Sequence, residues 1–170
     1  MKETLLILER CTFYFLLISM FAYAVSNKRD ISILLTLVAV FLGEYCLDLA
    51  LPLLANIEAD IDSKVYRVLW YTLFTLVEVA VITTILQLHK LYHLELVFGA
   101  RQTIHGYFGL TAIQISLCIL SFFLPHHIIV NIHEVAVSSL FLLILGVLLF
   151  SVMRDFLPWN ISIKLEKSHD

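Results

Sequence analysis

Four polar side chains interrupt the apolar stretches of this sequence and could carry chemistry. Glu44 and Asp48 are four residues apart and so share one face of a helix, while Glu78 and Gln114 each stand inside a separate apolar run. Ionisable groups at membrane depth cost about 2.5 to 3.5 kcal/mol each on insertion scales, and they normally face a bundle interior, a partner or water. Such groups can relay a proton, hold a cation or switch between a charged and a neutral state.

The runs that carry these residues are long enough to cross a bilayer. Of the 170 residues, 61% are hydrophobic and 15% are charged, and the mean hydropathy is +0.94. A helix needs about 20 apolar residues to cross the hydrocarbon core. Five runs reach this length, at 4–25, 32–55, 65–88, 104–124 and 132–153. We therefore expect an all-α integral membrane protein, a single domain over 1–170 with about five transmembrane helices.

Two segments do not fit a simple crossing. Glu9 and Arg10 interrupt the first run, so a four-helix bundle with a re-entrant or interfacial N-terminal segment is the alternative. No small-residue cleavage site follows this run, and we expect it to remain as an anchor. Residues 91–102 mix apolar and charged side chains, which indicates an interfacial amphipathic helix or an extension of the third helix. Residues 155–170 are expected to form a cytoplasmic tail.

Glu44, Glu78 and Gln114 are predicted to lie at similar depths, near the midplane. Each stands about 10 to 13 residues from an end of its run, roughly 15 to 20 Å along a helix. One interpretation is a proton or cation path or a titratable switch, with Asp48 as a further candidate. The other is that these groups are neutral interhelical hydrogen-bonding glue, worth roughly 0.6 to 2 kcal/mol per contact.

Two features of the second run predict helix contacts. Asp48 and Arg10 are expected at similar depths in the outer half of the bundle, where they could form an ion pair. Small residues recur with spacings of four, three and four, which allows close helix approach within the chain or in a homo-oligomer: Ala39, Gly43, Cys46 and Ala50. The fifth run is apolar all round and is expected to lie mostly against lipid.

Seven histidines raise the question of a bound metal. His89 and His93 have the i, i+4 spacing that puts two imidazoles on one helical face, and His105 is a further candidate ligand. A membrane haem needs histidines that face each other from different helices, whereas the histidines here lie at run ends or in loops. No Walker loop, nucleophile elbow or HExxH sequence is present. We expect no cofactor and no metal.

Charge and size narrow the function classes. The net charge is -3 and the 11 Lys and Arg residues are scattered, which argues against a nucleic-acid partner. We expect a multi-pass protein of the cell membrane, the inner membrane if bacterial, that acts with another subunit or as a homo-oligomer. The expected function is a non-enzymatic channel-like or sensory module with buried acids. A small proton- or cation-coupled transporter and a membrane-embedded metal or haem enzyme are the alternatives.

The first testable prediction is the topology, with the N-terminus outside and the C-terminus inside. The short loops and the tail on one side carry seven basic residues, which favour the cytoplasm: Lys28, Arg29, Lys90, Arg101, Arg154, Lys164 and Lys167. Single variants Asp60→Cys and Ser168→Cys should therefore react with an impermeant thiol reagent from opposite sides of the membrane. Labelling of both from the same side would contradict this topology.

Overall fold

The described part of the chain is helical. The computed structural model describes residues 14, 16–25, 30–58 and 61–156. A short apolar helix, α1 (Leu16–Val25), precedes four longer ones: α2 (Ile31–Ile57), α3 (Ser63–Leu91), α4 (Phe98–Leu120) and α5 (His126–Phe156). The four longer helices are long and apolar enough to cross a membrane. The expected membrane-spanning helical bundle is confirmed, with four long helices and one shorter one, and its orientation stays a prediction.

Local polar residues set the starts of two helices. The Asp30 side chain accepts a hydrogen bond from the Ser32 backbone N–H, and Asp62 accepts one from Lys64 in the same way. Each bond satisfies a donor that the first turn of a helix leaves without a partner. Pro52 lies inside α2, which continues to Ile57. The sequence analysis placed the helix starts at 32 and 65, close to the observed starts.

The connection between α3 and α4 differs from the predicted amphipathic segment at 91–102. The chain leaves α3 at Tyr92, and His93 has a positive φ of 52°. Backbone N–H groups of His93 and Leu94 then bond to the carbonyls of Lys90 and His89 at 3.3 and 2.9 Å. This is a Schellman ending, with a histidine where glycine is usual. Because it stops α3, residues 94–97 are not helical and α4 begins at Phe98.

The bundle is organised around α4. This helix packs against α3 and α5 along its length, and α2 packs mainly against α3. Short connections make successive long helices antiparallel. The starts of α2 and α4 therefore lie at the same end of the bundle as the last residues of α3 and α5. We call this end of the bundle the His89 end. The opposite end of the bundle is called the His133 end.

Small residues on α4 bring α5 close. A Cβ atom added at Gly106 would collide with Ile144 of α5, one at Gly99 would collide with Ser151, and one at Gly109 would lie 3.0 Å from Leu140. Ile144, Leu148 and Ser151 of α5 are buried. These small residues let one face of α5 pack against α4, while most of its other residues are exposed or half-buried, so the expectation that the fifth helix lies mostly against lipid stays a prediction.

The small-residue seam of α2 divides into two halves. Ala39 and Gly43 are buried, and a Cβ atom added at Gly43 would collide with Val81 of α3. Further along, Ala50 is partly exposed and Cys46 is exposed. The first half of the predicted seam therefore packs within the chain, while Cys46 lies on the outer surface of α2.

We predict that Gly43→Ala destabilises the bundle although alanine is the better helix former. The new methyl group would overlap Val81, whose β-branched side chain has one strongly preferred rotamer in a helix. Overpacking of this kind costs about 1 to 3 kcal/mol. Gly146→Ala is the matched control, because a Cβ atom there meets nothing within 4 Å. In thermal unfolding in detergent, Gly43→Ala should therefore have a lower Tm than Gly146→Ala. Equal Tm values for the two variants would contradict the close contact of Gly43 with Val81.

Candidate functional site

Two carboxyl groups lie halfway along their helices. Glu44 stands thirteen residues after the start of α2, and Glu78 stands thirteen residues before the end of α3. Each is therefore about 20 Å from the His89 end. Glu78 is 4% exposed and Glu44 is partly exposed. Both carboxyl groups thus lie at one depth, near the centre of the apolar span.

The middle of α4 supplies three more polar side chains. Tyr107, Thr111 and Gln114 are spaced four and three residues apart, so they share one face of the helix. Gln114 is 0% exposed and Tyr107 is 2% exposed. The sequence analysis selected only Gln114. The i, i+4, i+7 spacing was the available signal for the other two, but tyrosine and threonine alone do not stand out in a helix.

These side chains meet between α2, α3 and α4. The Glu78 carboxyl interacts with the Thr111 hydroxyl and the Gln114 amide. The Tyr107 hydroxyl interacts with the Glu44 carboxyl and lies within the electrostatic influence of Glu78. We call this group the polar centre: Glu44, Glu78, Tyr107, Thr111 and Gln114. The structure thus brings together three of the four residues that the sequence singled out, and their functional role stays a prediction.

The side chains of the polar centre lie near one another, but hydrogen bonds of good geometry do not hold them in place. No group in the described part of the chain meets hydrogen-bond geometry with Oε2 of Glu78, the Tyr107 hydroxyl, Oγ1 of Thr111 or either amide atom of Gln114. A buried polar group without a partner costs about 1 to 3 kcal/mol. Fixed interhelical glue would be expected to satisfy these atoms. The arrangement instead leaves the oxygens able to accept a hydrogen bond or to contact a cation, and it leaves the amide NH₂ of Gln114 able to donate.

Basic side chains are remote from this depth. The Lys and Arg residues of the described ranges all lie within five residues of a helix terminus: Lys64, Arg67, Lys90, Arg101 and Arg154. At the depth of the Glu78 carboxyl, the described ranges therefore contain no Lys or Arg.

Asp48 lies away from the polar centre. It is one turn beyond Glu44 on α2, and its side chain is exposed. Arg10 lies outside the described residues, so the predicted Arg10–Asp48 ion pair stays a prediction. The structure does not bring Asp48 to Glu78 or Gln114.

Both ring nitrogens of His89 take part in hydrogen bonds that join parts of the bundle. Its Nδ1 lies 2.7 Å from the Ile85 carbonyl oxygen, which can only accept, so Nδ1 donates there, and its Nε2 forms a hydrogen bond of 2.6 Å with the Ser32 hydroxyl. The Ser32 oxygen in turn accepts from the Val97 N–H at 3.4 Å. The chain of bonds joins α2, α3 and the α3–α4 connection, and both ring nitrogens are used.

The other two candidate histidines are not part of a described cluster of possible metal ligands. His93 and His105 are exposed. Within the described ranges, no group of three or more His, Cys, Asp or Glu residues could hold a metal ion. The i, i+4 spacing of His89 and His93 is broken because His93 already lies beyond the end of α3. The metal-site hypothesis is therefore not carried further.

A second histidine that packs between helices, half-buried, was not selected from the sequence. His133 of α5 packs against the rings of Tyr71 and Phe74 of α3, with centroid distances of 5.8 and 5.9 Å. Nearby, Nη1 of Arg67 donates to the Ser121 carbonyl at 2.8 Å and joins α3 to the end of α4. These contacts close the bundle at the His133 end.

Comparison with known proteins gives no match to a family, to a curated protein or to a solved structure. The case for a function therefore rests on the geometry and chemistry of the polar centre.

Proposed function

We propose that this chain is a small membrane module whose polar centre changes state by gaining or losing a proton or a cation. The supporting observation is that the Glu78 carboxyl is buried at the midpoint of α3 among neutral polar groups that do not lock it in place. The change would pass through the helices to a second subunit or a second copy of the chain. This is a sensory or channel-like role, not an enzymatic one.

A single charge is a large perturbation at this position. An ionised carboxylate in an apolar interior is strongly disfavoured unless donors or a cation compensate it. Neutral Glu78 needs an acceptor for its proton, whereas ionised Glu78 needs donors from Thr111, Gln114 or Tyr107. The preferred contacts of α3 with α4 therefore differ between the two states.

The fold can transmit such a change to both ends. Helix α4 contributes three members of the polar centre and also packs against α5. At the His89 end, the bonds among Ser32, His89 and Val97 couple α2 to α3 and to the start of α4. A shift of α3 relative to α4 would therefore reach both the fifth helix and this connection.

A substitution pair at Glu78 tests the switch. Spin labels on Lys64→Cys and His127→Cys, in a background without the native cysteines, report the distance between α3 and α5 at the His133 end. We predict that this distance changes in proteoliposomes with pH or with the cation present. Glu78→Gln keeps the shape and hydrogen bonding but cannot ionise, so it should fold and remain in one state. Glu78→Ala should lose stability as well, because it also leaves Thr111 and Gln114 without their neighbour.

The matched control for this test is Glu95→Gln. Glu95 is exposed in the α3–α4 connection, so its neutralisation should leave the response as in the parent protein. A Glu78→Gln variant that responds like the parent, with only Glu78→Ala impaired, would make Glu78 structural glue and contradict the proposal.

An exposed face of α2 favours contact with a protein partner. Tyr45, Leu49 and Leu53 are exposed on this face, and Asp48 lies among them. A carboxyl group that faces lipid at this depth is costly. Contact with a helix of a second copy would remove it from lipid and let two acids share a hydrogen bond. We therefore propose a homo-oligomer that contacts through α2.

Native Cys46 provides the test of this contact. It is an exposed free thiol on the same outer surface as Tyr45 and Leu49. Oxidative crosslinking in membranes should give a dimer that Cys46→Ser abolishes and Cys118→Ser leaves unchanged, because Cys118 is less exposed. Monomer alone, under conditions that crosslink a known membrane dimer, would contradict an α2 interface between copies.

A proton- or cation-coupled transporter is the second candidate. It is favoured by the position of Glu44 and Glu78 midway between the two ends, where a transported ion would have to be held. The two candidates separate in proteoliposomes that contain a pH-sensitive or cation-sensitive dye. A flux that Glu78→Gln abolishes supports transport, whereas a change in label distance without flux supports the sensory module.

A further inference from the structure

We propose that the polar centre binds a small monovalent cation of the sodium class. This inference rests on the proposed function and names the ligand to which the module responds. The site would lie at the midpoint of the span, between α2, α3 and α4. Its direct ligands would come from Glu78, Thr111 and Gln114, while Tyr107 and Glu44 pair with each other in the same polar centre.

The oxygen atoms of the polar centre are the kind of ligand that a hard cation prefers. The polar centre offers carboxylate, amide, hydroxyl and phenol oxygens, which suit alkali and alkaline-earth ions. Sulfur and imidazole groups are engaged elsewhere: Cys46 is exposed on α2, Cys118 packs against the cluster of Tyr71, Leu117 and Ile129, and His133 packs against aromatic rings nearer the His133 end. Soft transition metals therefore do not fit this group.

Gln114 gives an independent indication of a ligand. Its side chain is 0% exposed, interacts with the Glu78 carboxyl, and has neither amide atom in a geometrically good hydrogen bond. Burying an amide in this way is costly unless something completes its bonding. If the amide oxygen of Gln114 binds a cation, its NH₂ group can still donate a hydrogen bond to a carboxylate oxygen.

A cation satisfies this group better than a proton does. Four buried oxygens lack a good partner: Oε2 of Glu78, the Tyr107 hydroxyl, Oγ1 of Thr111 and Oε1 of Gln114. A proton on Glu78 supplies one further hydrogen bond. A cation among Glu78, Thr111 and Gln114 can contact an oxygen of each of them and also neutralises the Glu78 carboxylate, for which the described ranges offer no base at this depth.

Charge and ligand number favour a monovalent ion. Glu78 is the one carboxyl that interacts with the amide and the threonine, while the Glu44 carboxyl interacts with the Tyr107 hydroxyl. Calcium usually takes about six to eight oxygens, and magnesium keeps several waters in an octahedral shell. A small set of direct ligands with one carboxylate, in an apolar bundle, instead matches an ion with a single positive charge.

Thermal unfolding of the full chain in detergent tests this site. The measurement compares NaCl, KCl, CaCl₂ and choline chloride at equal ionic strength and fixed pH. We expect NaCl to raise the Tm by about 5 °C or more over choline at saturating concentration. Glu78→Gln and Gln114→Leu should each abolish this increase. Thr111→Val, which keeps the shape but removes the hydroxyl, should shift the sodium dependence to at least about tenfold higher concentration and serves if Gln114→Leu fails to fold.

Two variants outside the polar centre control for charge and amide loss. Glu95→Gln and Gln87→Leu change exposed residues, and both should keep the full sodium response. Equal Tm values in NaCl and choline chloride, a response to CaCl₂ alone, or a sodium response that survives both Glu78→Gln and Gln114→Leu would overturn the site. A Tm that depends on pH but not on sodium also overturns it, yet leaves the proposed switch standing. A sodium-dependent Tm without any change in spin-label distance would support the cation site and overturn the switch.

Discussion

The contact of the Glu78 carboxyl with Thr111 and Gln114 is the constraint on which the account depends. A carboxyl group at the middle of an apolar span is tolerated only if neighbouring groups compensate it. Here the neighbours are neutral and come from another helix, and Oε2 of Glu78 lacks a hydrogen bond of good geometry. In the function that we propose, the packing of α3 against α4 is coupled to the charge state of this one side chain.

The remaining architecture holds α3 and α4 near each other without fixing the polar centre. Gly43 lets α2 approach α3, and Gly106 lets α5 approach α4. Side-chain hydrogen bonds that join different helices lie at the two ends instead, where His89 joins α2 to α3 and Arg67 joins α3 to the end of α4. A bundle that is bonded at its ends and loosely satisfied at its centre can change its central contacts while keeping its fold.

The parts that could be predicted from the sequence are those that depend on chain-local chemistry. Apolar runs of the right length predicted the four long helices, and a charged or amide side chain inside such a run marked Glu78 and Gln114. Tyr107 and Thr111 could not be selected, because their relevance comes from which helix lies opposite them. The ending of α3 escaped prediction because a histidine, not a glycine, adopts the positive φ. The burial of α5 depends on glycines in α4, and the role of His89 depends on Ser32, far away in sequence.

Infrared difference spectroscopy of the reconstituted protein tests most directly whether Glu78 changes its charge state. Spectra would be recorded on exchange between sodium and choline buffers and between mildly acidic and neutral pH. The account predicts a change in the absorption band of a protonated carboxyl group, and it predicts that this change is missing in Glu78→Gln. A protonated-carboxyl band that Glu78→Gln removes, but that is the same under every condition, would contradict the account. Glu78 would then be a permanently neutral packing group.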